Sequence, residues 1–173
     1  MSTRIRIVVG ASLCLLAGIA VAAELPSNLP KRKPGLWEMQ VSSAGAAHGS
    51  PKMCIDAATD QAMYQMGAKM SGALCSKMDF KVNGNTVVTD SVCQMPAQSG
   101  PITITAHSET HFDGDTAYQV TSHATYSPAF MGKTESNTTS GGHWVSACAA
   151  GQKPGDMIMP NGMVMNINAM MKH

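Results

Sequence analysis

The chain has 173 residues, a length that suggests one domain. Its formal net charge is +1 and 13% of its residues are charged, so there is no electrostatic case for binding nucleic acid. Fifteen Met stand against three Phe, three Tyr and two Trp, with abundant Thr, Ser and Gly, a mix that suits short strands and turns better than helices.

Residues 1–23 read as a secretory signal. Arg4 and Arg6 form a positive start, Ile7 to Ala20 an apolar stretch, and Ala20-Val21-Ala22 a small-x-small cleavage pattern, so cleavage is expected after Ala22 or Ala23. The apolar run is short for a membrane span, and no later stretch could be one. Leu13 precedes Cys14 where a lipid-anchored signal needs a small residue, so no lipid anchor is expected. The mature protein is therefore expected to be soluble and exported. Residues 24–148 form one β-rich domain in this reading, and residues 149–173 a Met-rich flexible tail.

Glu24 to Lys33 is polar, carries two prolines, and reads as an extended lead-in. From Pro34 onward, Trp37, Met39 and Val41 alternate with Glu38, Gln40 and Ser42, the period of a half-buried strand. Ser43 to Ser50 is a small, Gly-rich loop, and Lys52 to Ile55 a short second strand. Asp56 is placed to cap a helix from about Ala57 to Met70, with Met63, Met66 and Met70 on one face and Gly72 as a stop. That Met face reads as adaptable core filler before it reads as a metal site.

Cys54, Cys75, Cys93 and Cys148 remain after the signal, an even count that in an exported chain implies two disulfides. None forms a Cys-x-x-Cys pair, which argues against a redox site or zinc knuckle. Cys75 to Cys93 reads as one hairpin. A two-residue Asn83-Gly84 turn leaves Cys75 opposite Val92; a three-residue Asn83-Gly84-Asn85 loop pairs Val82 with Thr86, Phe80 with Val88 and Cys75 with Cys93, with Asn85 left-handed. The second hairpin runs from Ile102 to Tyr126. An Asp113-Gly114-Asp115 loop pairs Phe112 with Thr116 and Ile104 with Ala124, keeping apolar side chains on one face. Ser127 to Gly132 reads as a connecting loop. Thr134 to Cys148 reads as a last strand or strand pair bent at Gly141-Gly142.

The signal, the Lys33-Pro34-Gly35-Leu36-Trp37-Glu38 opening, the mid-chain Cys54, the Cys75…Val82-Asn83-Gly84-Asn85-Thr86…Cys93 hairpin and the closing Gly142…Cys148 resemble a family of small exported Gram-negative proteins known as domain of unknown function 3617. The likeness spans about Lys33 to Cys148; the Met-rich segment beyond departs from it. It implies an all-β exported domain, a periplasmic location and no known catalytic residues. With Cys75 bonded to Cys93, Cys54 is left to Cys148.

The polar face of the second hairpin carries His107, Glu109 and His111 at i, i+2 and i+4, with His123 a diagonal neighbour of His107. Such a set could chelate zinc or copper, against the plainer reading of a wet sheet face. Met157, Met159, Met163, Met165, Met170 and Met171 offer thioethers suited to Cu(I), against an adaptable docking tail. Catalysis is poorly supported: there is no Gly-x-Ser-x-Gly elbow, phosphate loop or His-Glu-x-x-His helix.

The fold expected is an all-β antiparallel meander of about six to eight strands, forming a curved sheet or a lipocalin-like barrel or half-barrel, with one short helix. Ala106, Ser108 and Ala124 would leave room on its inner face. The function expected is binding or structural, with a small apolar ligand or an envelope protein as partner; copper or zinc handling is the alternative.

Overall fold

The computed structural model describes residues 25–42 and 50–170; the expected signal, most of the Ser43–Ser50 loop and Met171 lie outside them. The described chain is mostly strand: β1 (Gly35–Ser42), β2 (Lys52–Ile55), β3 (Cys75–Asn83), β4 (Thr86–Met95), β5 (Ile102–Asp113), β6 (Ala117–Phe130), β7 (Lys133–Ser146), β8 (Asp156–Ile158) and β9 (Val164–Asn166). Helix α1 (Ala57–Leu74) joins β2 to β3, and a short α2 (Ile167–Met170) follows β9. All nine strands lie in one antiparallel sheet ordered β3-β4-β5-β6-β7-β1-β2-β8-β9. The fold is all-β, as expected; of the sheet and the barrel or half-barrel expected, the open sheet is the one that forms, with nine strands among the described residues where about six to eight were expected. Its two edges are protected differently: β3 presents Lys77, Asp79 and Lys81, and β9 has only three residues. No helix among the described residues is long and apolar enough to cross a membrane.

The core sits where β1 and β2 meet α1. Trp37, Met53 and Ile55 are fully buried, and Met39, Met63, Tyr118, Trp144, Met157 and Ile167 pack around them. The Lys33–Trp37 opening is explained by its carbonyls. Trp37 Nε1–H donates to the Lys33 oxygen (2.8 Å) and Trp144 Nε1–H to the Pro34 oxygen (3.0 Å), so both indoles are hydrogen-bonded to the chain that enters β1. Gly142 faces the ring of Tyr118, whose atoms would lie 2.8 Å from a Cβ there; β7 runs straight through the expected bend, and the missing side chain admits the ring.

Asp56 caps α1 as expected, accepting from the Thr59 N–H at 2.7 Å, and hydrogen bonding to Thr59 holds its carboxyl below the usual range. The helix runs one turn past Met70, through Gly72, and ends where the Cys75 N–H donates to Ser71. Of the three Met expected in the core, only Met63 packs there; Met66 and Met70 are exposed.

Both hairpin registers differ from expectation in an instructive way. Cys75 does oppose Cys93, but the tip is a two-residue Gly84-Asn85 turn that pairs Asn83 with Thr86 and Val82 with Val87. The glycine, with φ +60°, takes the left-handed position assigned to Asn85. A bulge between Cys75 and Lys77 absorbs the one-residue difference and brings the cysteines opposite each other. In the second hairpin the loop has three residues, Gly114-Asp115-Thr116, so Phe112 pairs with Tyr118 and Ile104 with Tyr126. The shift is two residues, and the apolar side chains keep their common face. Strand β6 continues through most of the expected Ser127–Gly132 loop and turns only at Met131-Gly132.

The largest departure follows Cys148. Residues expected to be a flexible tail form β8 and β9, which extend the sheet beyond β2. Gly155 N–H donates to the Cys54 carbonyl (2.8 Å), Asn166 Nδ2 to Asp156 Oδ1 (2.7 Å) and Asn168 Nδ2 to Thr59 Oγ1 (3.1 Å). Specific hydrogen bonds, and Met157 and Ile167 in the core, do what hydrophobic periodicity did not announce.

Disulfides join Cys75 to Cys93 and Cys54 to Cys148. They close loops with sequence separations of 18 and 94 residues. Losing the shorter bridge should cost about 3 kcal/mol and the longer one about 4–5 kcal/mol, if restriction of the unfolded chain is the main effect. Urea denaturation of the paired Cys→Ser variants under non-reducing conditions should show that order; the reverse order would contradict it.

Candidate functional site

The α1 side of the sheet, α1 itself and the lead-in border a partly open cavity of about 310 Å³. Its sheet wall is apolar, with Phe80, Val87, Phe112 and Val120. Leu25 and Leu29 of the lead-in and Met63 of α1 cover it. The residues at its boundary that carry polar groups are Arg32, Tyr64, Thr89, Thr110 and Tyr118. The volume falls at the lower end of the range for small-molecule sites, and an apolar wall with few polar groups is their usual character. A second cleft of about 630 Å³ is bordered by the lead-in, Asp115 and polar α1 residues such as Gln61 and Gln65. Its wall lacks the sheet's apolar side chains, which makes the first cavity the better receptor for an apolar molecule.

The lead-in is held by a buried ion pair. Arg32 Nε donates to Asp60 Oδ1 at 2.6 Å, and the Arg32 backbone N–H to Asp60 Oδ2 at 3.2 Å. The two side chains are 8% and 5% exposed, so the pair is desolvated and must be mutually satisfied. The guanidinium carbon lies 5.7 Å from the Trp37 ring centroid and 5.6 Å from that of Tyr118, which gives the cation two aromatic faces. Tyr64 adds a second tie: its hydroxyl donates to the Pro30 carbonyl at 3.3 Å. Burial first, and the nearby Asp60 charge second, push its phenol pKa up, so the hydroxyl stays a donor at neutral pH.

The residues singled out for metal chemistry are placed as follows. His107 and His123 are direct cross-strand partners, where a diagonal relation was expected. His111 sits further along β5, its ring nitrogens 3.3 Å from Asn85 Nδ2 and 3.2 Å from Thr86 Oγ1. Glu109 lies opposite Val88 on one side and Thr121 on the other. Among the described residues, no group of three or more His, Cys, Asp or Glu side chains is arranged to hold a metal ion. Of the methionines after Cys148, Met157 packs on the core and pairs with Met165 across the β8–β9 ladder, while Met163 and Met170 are exposed. Ala106, Ser108 and Ala124 do lie on the cavity face, but the cavity forms further along the strands, at Thr110 and Phe112.

Arg32 and Asp60 were not singled out from sequence. The signal that could have found them is a carboxylate three residues before Met63, on the helix face that meets the core. A carboxylate there needs a cation, and Arg32 is the arginine nearest the strand that packs on it.

Fold and cavity together define a disulfide-bridged, open antiparallel β-sheet protein in which helix α1 and the lead-in cover an apolar hollow. Residues 32–148 match the family described as Protein of unknown function (DUF3617), and the chain belongs to that family. The match starts at the ion-pair arginine, ends at the last disulfide cysteine, and leaves β8 and β9 outside. No curated protein matches the chain, and no solved structure does.

Asp60→Ala should cost about 3–5 kcal/mol, because it leaves a buried guanidinium without its partner. Arg32→Met combined with Asp60→Leu should lose clearly less than Asp60→Ala alone. Equal losses in urea denaturation would mean that the charges are not buried together.

Proposed function

We propose that this protein is an exported, periplasmic binding module that takes a small apolar ligand into the cavity between the sheet and α1. The observation that carries this reading is the cavity itself: about 310 Å³, walled by Phe80, Val87, Phe112 and Val120 and covered by leucines of the lead-in. Two disulfides support an oxidising, extracytoplasmic compartment, and the N-terminal sequence supports export. Binding is favoured over catalysis because the strongest polar groups at the cavity already have internal partners. Arg32 is bound to Asp60 and Tyr64 to Pro30, which leaves the hydroxyls of Thr89, Thr110 and Tyr118 to orient a ligand. The lead-in covers the cavity and is fastened to α1 and the sheet through Arg32 and Pro30, so a ligand enters past Leu25 and Leu29 or at the strand ends.

Thr110→Phe should fill the cavity and weaken binding of a neutral naphthylamine dye by at least about tenfold, equivalent to roughly 1.4 kcal/mol. Thr121→Phe, on the opposite sheet face, should leave dye binding unchanged. Native mass spectrometry of the wild-type protein taken from its export compartment should show a small organic adduct that Thr110→Phe lacks. Unchanged dye affinity in Thr110→Phe, with a wild-type melting temperature, would overturn the reading.

A further inference from the structure

The sheet face turned away from the cavity carries a row of four polar side chains, one from each of β4, β5, β6 and β7. Asp90 pairs with His107, His107 with His123, and His123 with Asn137. The two outer members hold the two rings. His107 Nδ1 lies 2.6 Å from Asp90 Oδ1, and His123 Nδ1 lies 2.9 Å from Asn137 Oδ1. Both partner atoms are oxygens that accept, so each ring donates through Nδ1–H, and each neutral ring keeps its lone pair on Nε2. Neither Nε2 has a hydrogen-bond partner among the described residues. A histidine whose Nδ1–H is fixed by a carboxylate or amide oxygen, with Nε2 left free, is the arrangement that orients imidazole ligands in metal sites.

Geometry and charge agree with that use. Directly opposed residues on neighbouring strands have Cβ atoms about 4.5–5.5 Å apart, which lets two imidazoles reach one ion at a metal–nitrogen distance of about 2.0–2.1 Å. Both rings border one cleft of about 280 Å³, together with Asp90 and Thr105. Asp90 Oδ1 accepts from His107 Nδ1–H at 2.6 Å, the carboxylate–imidazole contact that fixes the ring and strengthens it as a ligand. Lys77 borders the same cleft, but its ammonium is paired with Asp79 at 3.1 Å.

We infer that His107 and His123 bind one borderline divalent metal ion, of the Cu(II) or Zn(II) kind, through their Nε2 atoms, with Asp90 and Asn137 as positioning residues and water completing the coordination. The site goes beyond the apolar cavity and is independent of it, on the other face of the sheet. It is also distinct from thioether binding of Cu(I), since imidazole suits Cu(II) and Zn(II), and Cu(II) is bound most tightly of the first-row divalent ions. His111 is excluded by its own contacts with Asn85 and Thr86.

Calorimetric titration of the disulfide-bonded, tag-free chain with Cu(II) tests the inference. One ion per chain should bind, with an electron paramagnetic resonance spectrum showing two equivalent nitrogen ligands. His107→Ala and His123→Ala should each weaken binding by at least about tenfold, and Asp90→Ala and Asn137→Ala by about 10–100-fold, as expected for residues that orient ligands. His111→Ala should bind as wild type does. These side chains are on a polar sheet face, so thermal melting of each variant should stay close to wild type. No binding event, an event that survives both His107→Ala and His123→Ala, or equal weakening in His111→Ala would overturn the site.

Discussion

A buried ion pair joins the three parts of this molecule. Arg32 belongs to the lead-in, Asp60 to α1, and the rings of Trp37 and Tyr118 that flank the guanidinium belong to the sheet. Removing either charge strands the other in a medium where it cannot be solvated, so lead-in, helix and sheet are coupled. Such a pair adds little to stability compared with well-packed apolar side chains, but it sets position. It brings Leu25 and Leu29 over the apolar wall and so makes a cavity out of what would otherwise be an exposed sheet face.

The two disulfides and the chain after Cys148 serve the same arrangement at longer range. Cys54–Cys148 ties the most buried strand, β2, to the segment leaving β7, and the Cys54 carbonyl then accepts from Gly155 to start the β8–β9 extension. Cys75–Cys93 fixes the far edge, where α1 hands over to β3. Between these fixed ends, β4 to β7 form a regular ladder with two different faces. One face is apolar and carries the cavity; the other is polar and carries the Asp90–His107–His123–Asn137 row. The strict alternation of a β-strand lets two unrelated binding chemistries share the same strands without contact.

Alternation is also why so much of the fold was legible in the amino-acid order. The faces of β5 and β6 were assigned correctly because parity survives a two-residue slip, and Asp56 and Lys52–Ile55 were identifiable from local chemistry alone. Register was not legible, because turn choice and bulge compensate: the Gly84-Asn85 turn and the bulge after Cys75 together give the same Cys75–Cys93 partnership as a longer loop without a bulge. The same uncertainty hid the face-to-face placement of His107 and His123. The β8–β9 hairpin was illegible because its strands have three residues each, too few to show a period, and are held by single hydrogen bonds such as Asn166 to Asp156. Arg32 and Asp60 were missed because their relation spans 28 residues and no local pattern connects them.

The coupling of lead-in to body through Arg32 and Asp60 is tested most directly by hydrogen exchange followed by nuclear magnetic resonance. Both the backbone N–H and the Nε–H of Arg32 donate to the buried Asp60 carboxylate, so both should exchange slowly, close to the rate of the amides of β1 and β2. Exchange of both protons at the rate of free arginine, while β1 and β2 stay protected, would show that the lead-in is not fastened over the apolar wall.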